Sequence, residues 1–310
     1  MTVDLLVIGD ANPDVIMGPL DGGLAFGQRE QLVETGTLTP GGSAAITACG
    51  AARLGLSVAF AGRVGDDDAG DYMRLALAKR GVDVAALRTD PDLPTPLTTI
   101  VTRGDDRAML TAAGALTATS CADVPAELLA GCRHVHVGSF FLMPALAATL
   151  ADLFRAAHRH GATTSLDTND DPAGEWAGLD PVLAETDYLL PNAAESCAIT
   201  GRSTVEEAAA ALAARGPTVV VKNGVAGALC HTGSTLLRTS GVQVTPVDAV
   251  GAGDTFDAGF LAAKLLGRTD QQALDLAAVC GALSTLAAGG TTCQPTLADA
   301  MSCLEGTFPG

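Results

Sequence analysis

Lysine occurs only three times in 310 residues, at Lys79, Lys222 and Lys264. With 18 Lys+Arg against 35 Asp+Glu, the formal net charge is −17. Such a surface repels phosphate backbones and anionic lipid, which argues against nucleic acid and membranes as partners. An anionic substrate must then rely on a few local arginines and on backbone dipoles. Aromatic residues are also scarce at 4%, so the core of a chain that is 48% hydrophobic is built mainly from Ala, Leu and Val. The eight cysteines form no C-x-x-C pair and no zinc spacing, the usage of free thiols in a reducing cytoplasm. No apolar run reaches the roughly 18 residues of a membrane span. Residues 140–154 come nearest, and Pro144, Thr149 and Asp152 interrupt them. The N-terminus lacks a basic, signal-like region, so a cytoplasmic protein is expected. Neither G-x-x-x-x-G-K-[ST] nor a G-x-G-x-x-G after the first strand is present, which counts against a P-loop and a dinucleotide-dependent dehydrogenase.

What is present is alternation. Short β-rich runs at 5–9, 58–65, 134–140, 163–169, 187–192 and 218–224 are separated by Ala/Leu helical patterns. Several of these helices close on glycine after a basic residue, as at Arg80-Gly81 and Arg215-Gly216. This order predicts a single α/β domain over 1–310, a three-layer α/β/α fold with a mostly parallel central sheet. Ligands in such sheets sit beyond the carboxyl ends of the strands. Residues 12–40 and 96–111 fit no βαβ unit and read as hairpins, the second turning at Gly104-Asp105-Asp106. Together they predict a small β-sheet lid. An apolar outer face on that lid would make it a homodimer surface, and "DVIMG" and "PLTTIV" leave the two faces undistinguished. Arg103 and Arg107 flank the second hairpin tip, where solvated charge is the default and a phosphorylated acceptor the one reason to promote them.

The stretch "VDAVGAGDTFDAGF" (247–260) places two glycines where an apolar strand gives way to a helix. Glycine costs a helix about 1 kcal/mol relative to alanine, so its use here needs a cause. A helix starting near Gly253 leaves the amides of Ala252, Gly253 and Asp254 free, and its dipole favours an anion there. Asp254 in the first turn can then accept a proton from a hydroxyl attacking phosphorus. Taken alone, the motif equally describes a tight turn with a favourable first-turn acid.

The segment from Asp248 to Asp254 resembles the D-T-x-G-A-G-D signature of the ribokinase-like (PfkB) carbohydrate kinases, with Ala249 where the family has threonine. Other segments match that family in the same order. "GDANPD" (9–14) is similar to G-x-x-N-x-D, "GGSAAITACGAARLG" (41–55) and "GRVGDDDAGDYM" (62–73) to the first signature, and "PNAAE" (191–195) to N-x-x-E. "VKNGVAGALC" (221–230) resembles the strand-turn-strand that contacts the nucleotide, and "CGALSTLAAGGTTCQPT" (280–296) the helix and turn beside the adenine.

The resemblance implies an ATP- and Mg²⁺-dependent kinase that phosphorylates a hydroxyl of a small sugar or sugar-like acceptor. Asp254 would be the general base, and the backbone of Gly251, Ala252 and Gly253 the anion hole. Asn12, Asp14, Gly41, Gly42, Ser43 and Ser139 would surround the acceptor. Ile46 stands where the family commonly has an acceptor-binding asparagine, which points to an acceptor with an apolar portion or to one bound differently. Asn192 and Glu195 would hold Mg²⁺ through water, with Asp167 and Asn169 supporting the magnesium and phosphate region. Lys222, Gly224, Gly227, Gly251, Gly253 and Leu283 would contact the nucleotide, though for Lys222 a snorkelling side chain is an equal reading. A monovalent cation, K⁺ in this family, would lie beside Asp248 and the segment 284–293. His134 and His136, alternating on one strand, read as buried structural imidazoles. Two alternatives stand beside the sugar kinase. A nucleoside kinase would use Phe26, Phe140, Phe141 or Trp176 as an aromatic clamp. A non-catalytic sugar or nucleotide sensor would lack the base or the glycines, and both are intact.

Overall fold

Two β-sheets organise the computed structural model, which describes residues 2–104 and 106–307. The strands are β1 (Val3–Ile8), β2 (Asn12–Gly18), β3 (Thr35–Gly41), β4 (Val58–Gly65), β5 (Val82–Asp90), β6 (Leu97–Arg103) and β7 (Asp106–Ala112). They continue with β8 (Cys132–Val137), β9 (Thr163–Leu166), β10 (Tyr188–Leu189), β11 (Thr218–Lys222), β12 (Ala228–His231) and β13 (Leu236–Thr239). The large sheet runs β13-β12-β11-β10-β9-β8-β1-β4-β5. It is parallel from β11 to β5 and antiparallel at β11–β12 and β12–β13.

Period-two alternation explains the three layers. Leu5 and Val7 of β1 point to one side, where they join Phe60, Phe256 and Phe260 under the helices Ser43–Arg53, Ala252–Leu265 and Asp270–Ser284. Leu6 and Ile8 point to the other, joining Val135, Val137 and Phe154 under Leu150–Arg159 and Val205–Ala213. A strand covered on both faces needs apolar residues on each, which is why Leu5 to Ile8 of β1 read as a continuous run. Each such Leu or Phe contributes about 1.5–3 kcal/mol by its removal from water. Among the described residues, no helix is long and apolar enough to cross a membrane.

The second sheet runs β3-β2-β6-β7 and joins the two expected excursions through the parallel pair β2–β6. Its pleat separates two faces. Asp14, Thr39, Thr98 and Thr111 stand in one cross-strand row on the inner face, over the ends of the large sheet. Met17, Leu38, Leu97 and Leu110 lie on the outer face and remain exposed.

Several local expectations are corrected. The helical pattern at 145–161 divides into Pro144–Ala147 and Leu150–Arg159, breaking at Ala148-Thr149. The edge strand β5 mixes exposed and buried residues and was passed over by the sequence reading. Residues 242–247 form no strand before the Gly251 turn. Instead the amides of Val247 and Asp248 both donate to the Thr285 carbonyl at the end of helix Asp270–Ser284, at 2.7 and 3.1 Å.

Candidate active site

The strand ends collect carboxylates, and the backbone is shaped to admit them. Asp10 follows β1 and is buried, its oxygens accepting from the amides of Ser43 and Ala44 at 3.0 and 2.9 Å. It thereby caps helix Ser43–Arg53, whose N-cap residue, Gly42, has no side chain to do so. Gly42 sits at φ 88°, and a Cβ there would stand 2.6 Å from the Asp10 carbonyl oxygen. A Cβ on Gly41 would fall on the Asp14 carboxylate. These glycines therefore make room for Asp10 and Asp14 before any ligand arrives. Asn12 Nδ2 donates to Asp14 Oδ1 at 2.9 Å and to Thr98 Oγ1 at 3.1 Å, tying the carboxylate to the lid. Burial, then the charges of Asp10 and Asp254, push Asp14 up to about 7.

Helix Ala252–Leu265 starts at Gly251 in the left-handed region, φ 74°. A Cβ there would lie 2.6 Å from Gly290 Cα, so the turn needs glycine on two grounds. Of the three amides expected to be free, Ala252 N instead donates to the Ala249 carbonyl at 3.3 Å within the tight turn, while among the described residues nothing accepts from the Gly253 and Asp254 amides, which leaves the helix N-terminus open to an anion. Ser43 Oγ donates to Asp254 Oδ1 at 2.5 Å, and Asn169 Nδ2 donates to Ser43 Oγ at 3.1 Å. Asp254 keeps an opening to the cleft, yet the protein packed round its carboxyl pushes it up to about 7, helped by the charge of Asp167. A base near neutrality is suited to taking a hydroxyl proton.

Beside it lies an ion cluster that the sequence did not reveal. Lys222 Nζ donates to Asp167 Oδ2 at 2.7 Å and to Asp257 Oδ2 at 3.0 Å, and its side chain is only 12% exposed. The snorkelling reading of Lys222 is thus overturned. Burial works against the ammonium, but Asp167, Asp257 and Glu195 outweigh it and hold the charge. Carboxylate oxygens of Asp167, Asp254 and Asp257 approach within 4.8 Å of one another, a spacing that suits a metal. Lys222 already supplies the positive charge between two of them.

Asn192 and Glu195 meet as a capping box at the start of helix Ala193–Thr200. Glu195 N donates to Asn192 Oδ1, and the Glu195 carboxylate accepts from Asn192 N, both at 2.9 Å. Burial and the charge of Asp167 push Glu195 up to about 7. A hard-oxygen carboxylate short of counter-charge fits Mg²⁺, and with its oxygens already accepting from Asn192 the fit is through water.

The remaining residues divide between the cleft and its supports. Ser139 (φ 58°) is buried, and its amide donates to Asn169 Oδ1 at 2.7 Å, so it orients Asn169. Ile46 is 3% exposed, with Cδ1 2.7 Å from where a Gly290 Cβ would stand and Cγ2 3.1 Å from that of Gly251. It props the Gly251 turn from beneath, which withdraws the argument that it offers apolar surface to an acceptor. Leu283 is packed into the core cluster rather than presented to the cleft. Asp248 Oδ1 accepts from Val250 N and Oδ2 from Gly289 N, both at 2.9 Å, stapling the turn to the 289 loop. Gly224 opens the β11–β12 turn, while Gly227 (φ 90°) packs against the backbone of 239–241. His134 and His136 are buried and share Ser165 Oγ at 2.7 and 2.8 Å, and burial holds them down to about 3 and 4. Phe140, Phe141 and Trp176 form an edge-on stack with centroids 5.1 and 5.4 Å apart, whereas Phe26 is 88% exposed and stands apart from it. Asp10, Asp257 and the inner-face threonines were missed, because only the fold brings them to these positions.

An aspartate pushed up to about 7, an open helix N-terminus beside it and a lid over the strand ends are compatible with a phosphotransferase, and the family match makes it one of the sugar and nucleoside kinase class. The chain belongs to the pfkB family of carbohydrate kinases, whose family model matches residues 3–297. It is 35% identical over 281 residues to a fructokinase of Klebsiella pneumoniae, covering 83% of this chain and 89% of that one. It is 30% identical over 283 residues to a 2-dehydro-3-deoxygluconokinase of Bacillus subtilis, covering 86% and 87%. Among solved structures, a ribokinase II candidate from Escherichia coli in complex with ATP and Mg²⁺ superposes with a TM-score of 0.85 at 25% identity, covering 98% of this chain and 99% of that one.

Proposed function

We propose that this kinase transfers the γ-phosphoryl group of ATP to a hydroxyl of a small sugar or sugar-like acceptor, with Asp254 as general base. The observation that carries the reading is the placement of Asp254 in the first turn of a helix whose Gly253 and Asp254 amides are free, with its carboxylate held by the Ser43 hydroxyl. Asp14, fixed by Asn12, accepts hydroxyls of the acceptor and sets which one faces Asp254. The acceptor oxygen bonds the γ-phosphorus, the bond from that phosphorus to the bridging oxygen of ADP breaks, and the hydroxyl proton passes to Asp254. The amides of Gly253 and Asp254, at the open start of the helix, bind the negative charge on the transferring group, the main protein contribution to a reaction that depends on positioning and charge. Mg²⁺, held through water near Asn192 and Glu195, would neutralise charge on the β- and γ-phosphates. Closure of the lid excludes water and limits hydrolysis of ATP.

The test is ATP turnover with Mg²⁺ against free sugars, sugar phosphates, sugar acids and nucleosides, with Asp254→Asn alongside. The expected result is strong turnover of one sugar-like acceptor and a loss of at least about a thousandfold in the variant while ADP still binds, since base and positioning act together. Turnover retained by Asp254→Asn removes the base assignment. Preference for a nucleoside replaces the sugar reading.

A further inference from the structure

We infer that Lys222 is the fixed cation of the phosphoryl-transfer centre, and that Asp167 and Asp257 are the positioning residues that aim it. The inference rests on the kinase reading above and adds to it a transition-state role for a residue first taken as a nucleotide contact.

Four observations lead there. An ammonium has three N–H donors. Two are taken, by Asp167 at 2.7 Å and Asp257 at 3.0 Å, and among the described residues no third acceptor is present. Nζ lies 3.7 Å from the position a Gly253 Cβ would occupy, so the remaining donor sits beside the open amides of the anion hole. The clamp joins elements that are distant in sequence: Lys222 ends β11, Asp167 follows β9, and Asp257 is in the second turn of helix Ala252–Leu265.

Stability does not account for this arrangement. A buried ion cluster is commonly no better than apolar residues of the same volume, because desolvation offsets the attraction. Here the cluster also leaves Asp257 Oδ1 buried without a partner, a cost that a purely structural core avoids. A fixed cation is useful where charge develops. It needs no reorganisation during the reaction, and a flexible lysine would have to be ordered each time.

The test compares Lys222→Met and Asp257→Asn with the wild-type enzyme, measuring kcat and, separately, the ADP dissociation constant by calorimetry with Mg²⁺ present. Asp257→Asn preserves volume and guards against loss of folding in the first variant. Lys222→Met is expected to lower kcat about a hundredfold, the scale seen when one preorganised donor to a developing charge is removed. ADP affinity is expected to change by less than about threefold, and Asp257→Asn to show the same split at about tenfold, because a weakened clamp leaves the charge present but less well aimed. A wild-type kcat in either variant overturns the proposal. So does a loss of ADP affinity equal to the loss of kcat, which would make Lys222 a ground-state nucleotide contact. Asp254→Asn, run in parallel, separates the two levels: its retained turnover refutes the kinase mechanism itself, whatever Lys222 does.

Discussion

Replacing Ser43 by alanine should move the acid limb of the rate without removing the base. The Ser43 hydroxyl donates to Asp254 Oδ1 at 2.5 Å and is itself oriented by Asn169. A hydrogen bond to a charged group is worth about 1.5–3 kcal/mol, and 1.36 kcal/mol corresponds to one pH unit. Full loss would raise the midpoint by about one to two units. Asp254 keeps an opening to the cleft, so water recovers part of the bond and about one unit is expected. The sign follows from the active form. The base must be ionised, the hydroxyl stabilises the ionised carboxylate, and its removal keeps Asp254 protonated to higher pH. The acid limb of kcat/KM, near 7 in the wild type, should therefore move towards 8, while the plateau near pH 9 falls only a few-fold. Asp14 is also pushed up to about 7, so the wild-type limb belongs to both carboxylates, and only the part due to Asp254 should move. Ser43→Thr, which keeps the hydroxyl, serves as control. A coupled ADP-release assay from pH 5.5 to 9.5 decides the matter. An unmoved limb with a depressed plateau would refute the link between Ser43 and the base.

Asp14→Asn should raise KM for the acceptor at least about tenfold with ADP affinity unchanged, as expected when a buried substrate hydroxyl loses its acceptor. The same change should stabilise the apo enzyme at pH 8. A carboxyl whose folded value is raised contributes stability below about pH 4 and loses it as pH rises through about 7, so removing its charge lifts the melting midpoint by about 2–5 °C, read by calorimetry at pH 5 and pH 8. Arg107 stands on the inner lid face with Asp14, whereas Arg103 lies on the outer face near Asp106, their ion pair 4.0 Å long. Arg107→Ala should raise KM about tenfold for acidic acceptors and less than about twofold for neutral sugars, and Arg103→Ala should do neither. Leu38→Glu places charge in the exposed apolar outer face of the lid and should convert a dimer to monomer in light scattering. A wild-type species that is already monomeric rejects that surface.

The parts legible in the sequence were those written by contiguous residues. The turn at Gly251 requires glycine for reasons local to the backbone, and β1 reads as a strand because both its faces are covered. The two excursions were recognisable because they broke the βαβ alternation, although nothing local told that β2 would pair with β6 or which face would be wet. A strand is expected to end near Val247, but the amides of Val247 and Asp248 find a helix-end carbonyl instead, which no periodicity encodes. Ile46 was misread for a related reason. Its place in the motif is at the acceptor, while its side chain fills the space left by Gly251 and Gly290. Asp257 stood in plain view three residues after Asp254, yet it acquires meaning only once β11 and β9 bring Lys222 and Asp167 against it.

The scarcity of lysine and the chemistry of the cleft have one explanation. A triphosphate entering a chain of net charge −17 meets Asp10, Asp14, Asp167, Asp254, Asp257 and Glu195 around the strand ends. Three of these are pushed up to about 7, first by burial and then by the charge of neighbouring carboxylates, so added positive charge would lower them. Mobile surface lysines would do this by pairing with the base and lowering its affinity for a proton. The groups of positive character that the structure fixes in the cleft are the backbone amides at a helix start and one ammonium held by two carboxylates, to which, in the mechanism proposed above, magnesium entering with ATP would add its charge. Under that proposal Asp254 is left ionisable near neutrality, and its neighbours would neutralise phosphate without neutralising the base.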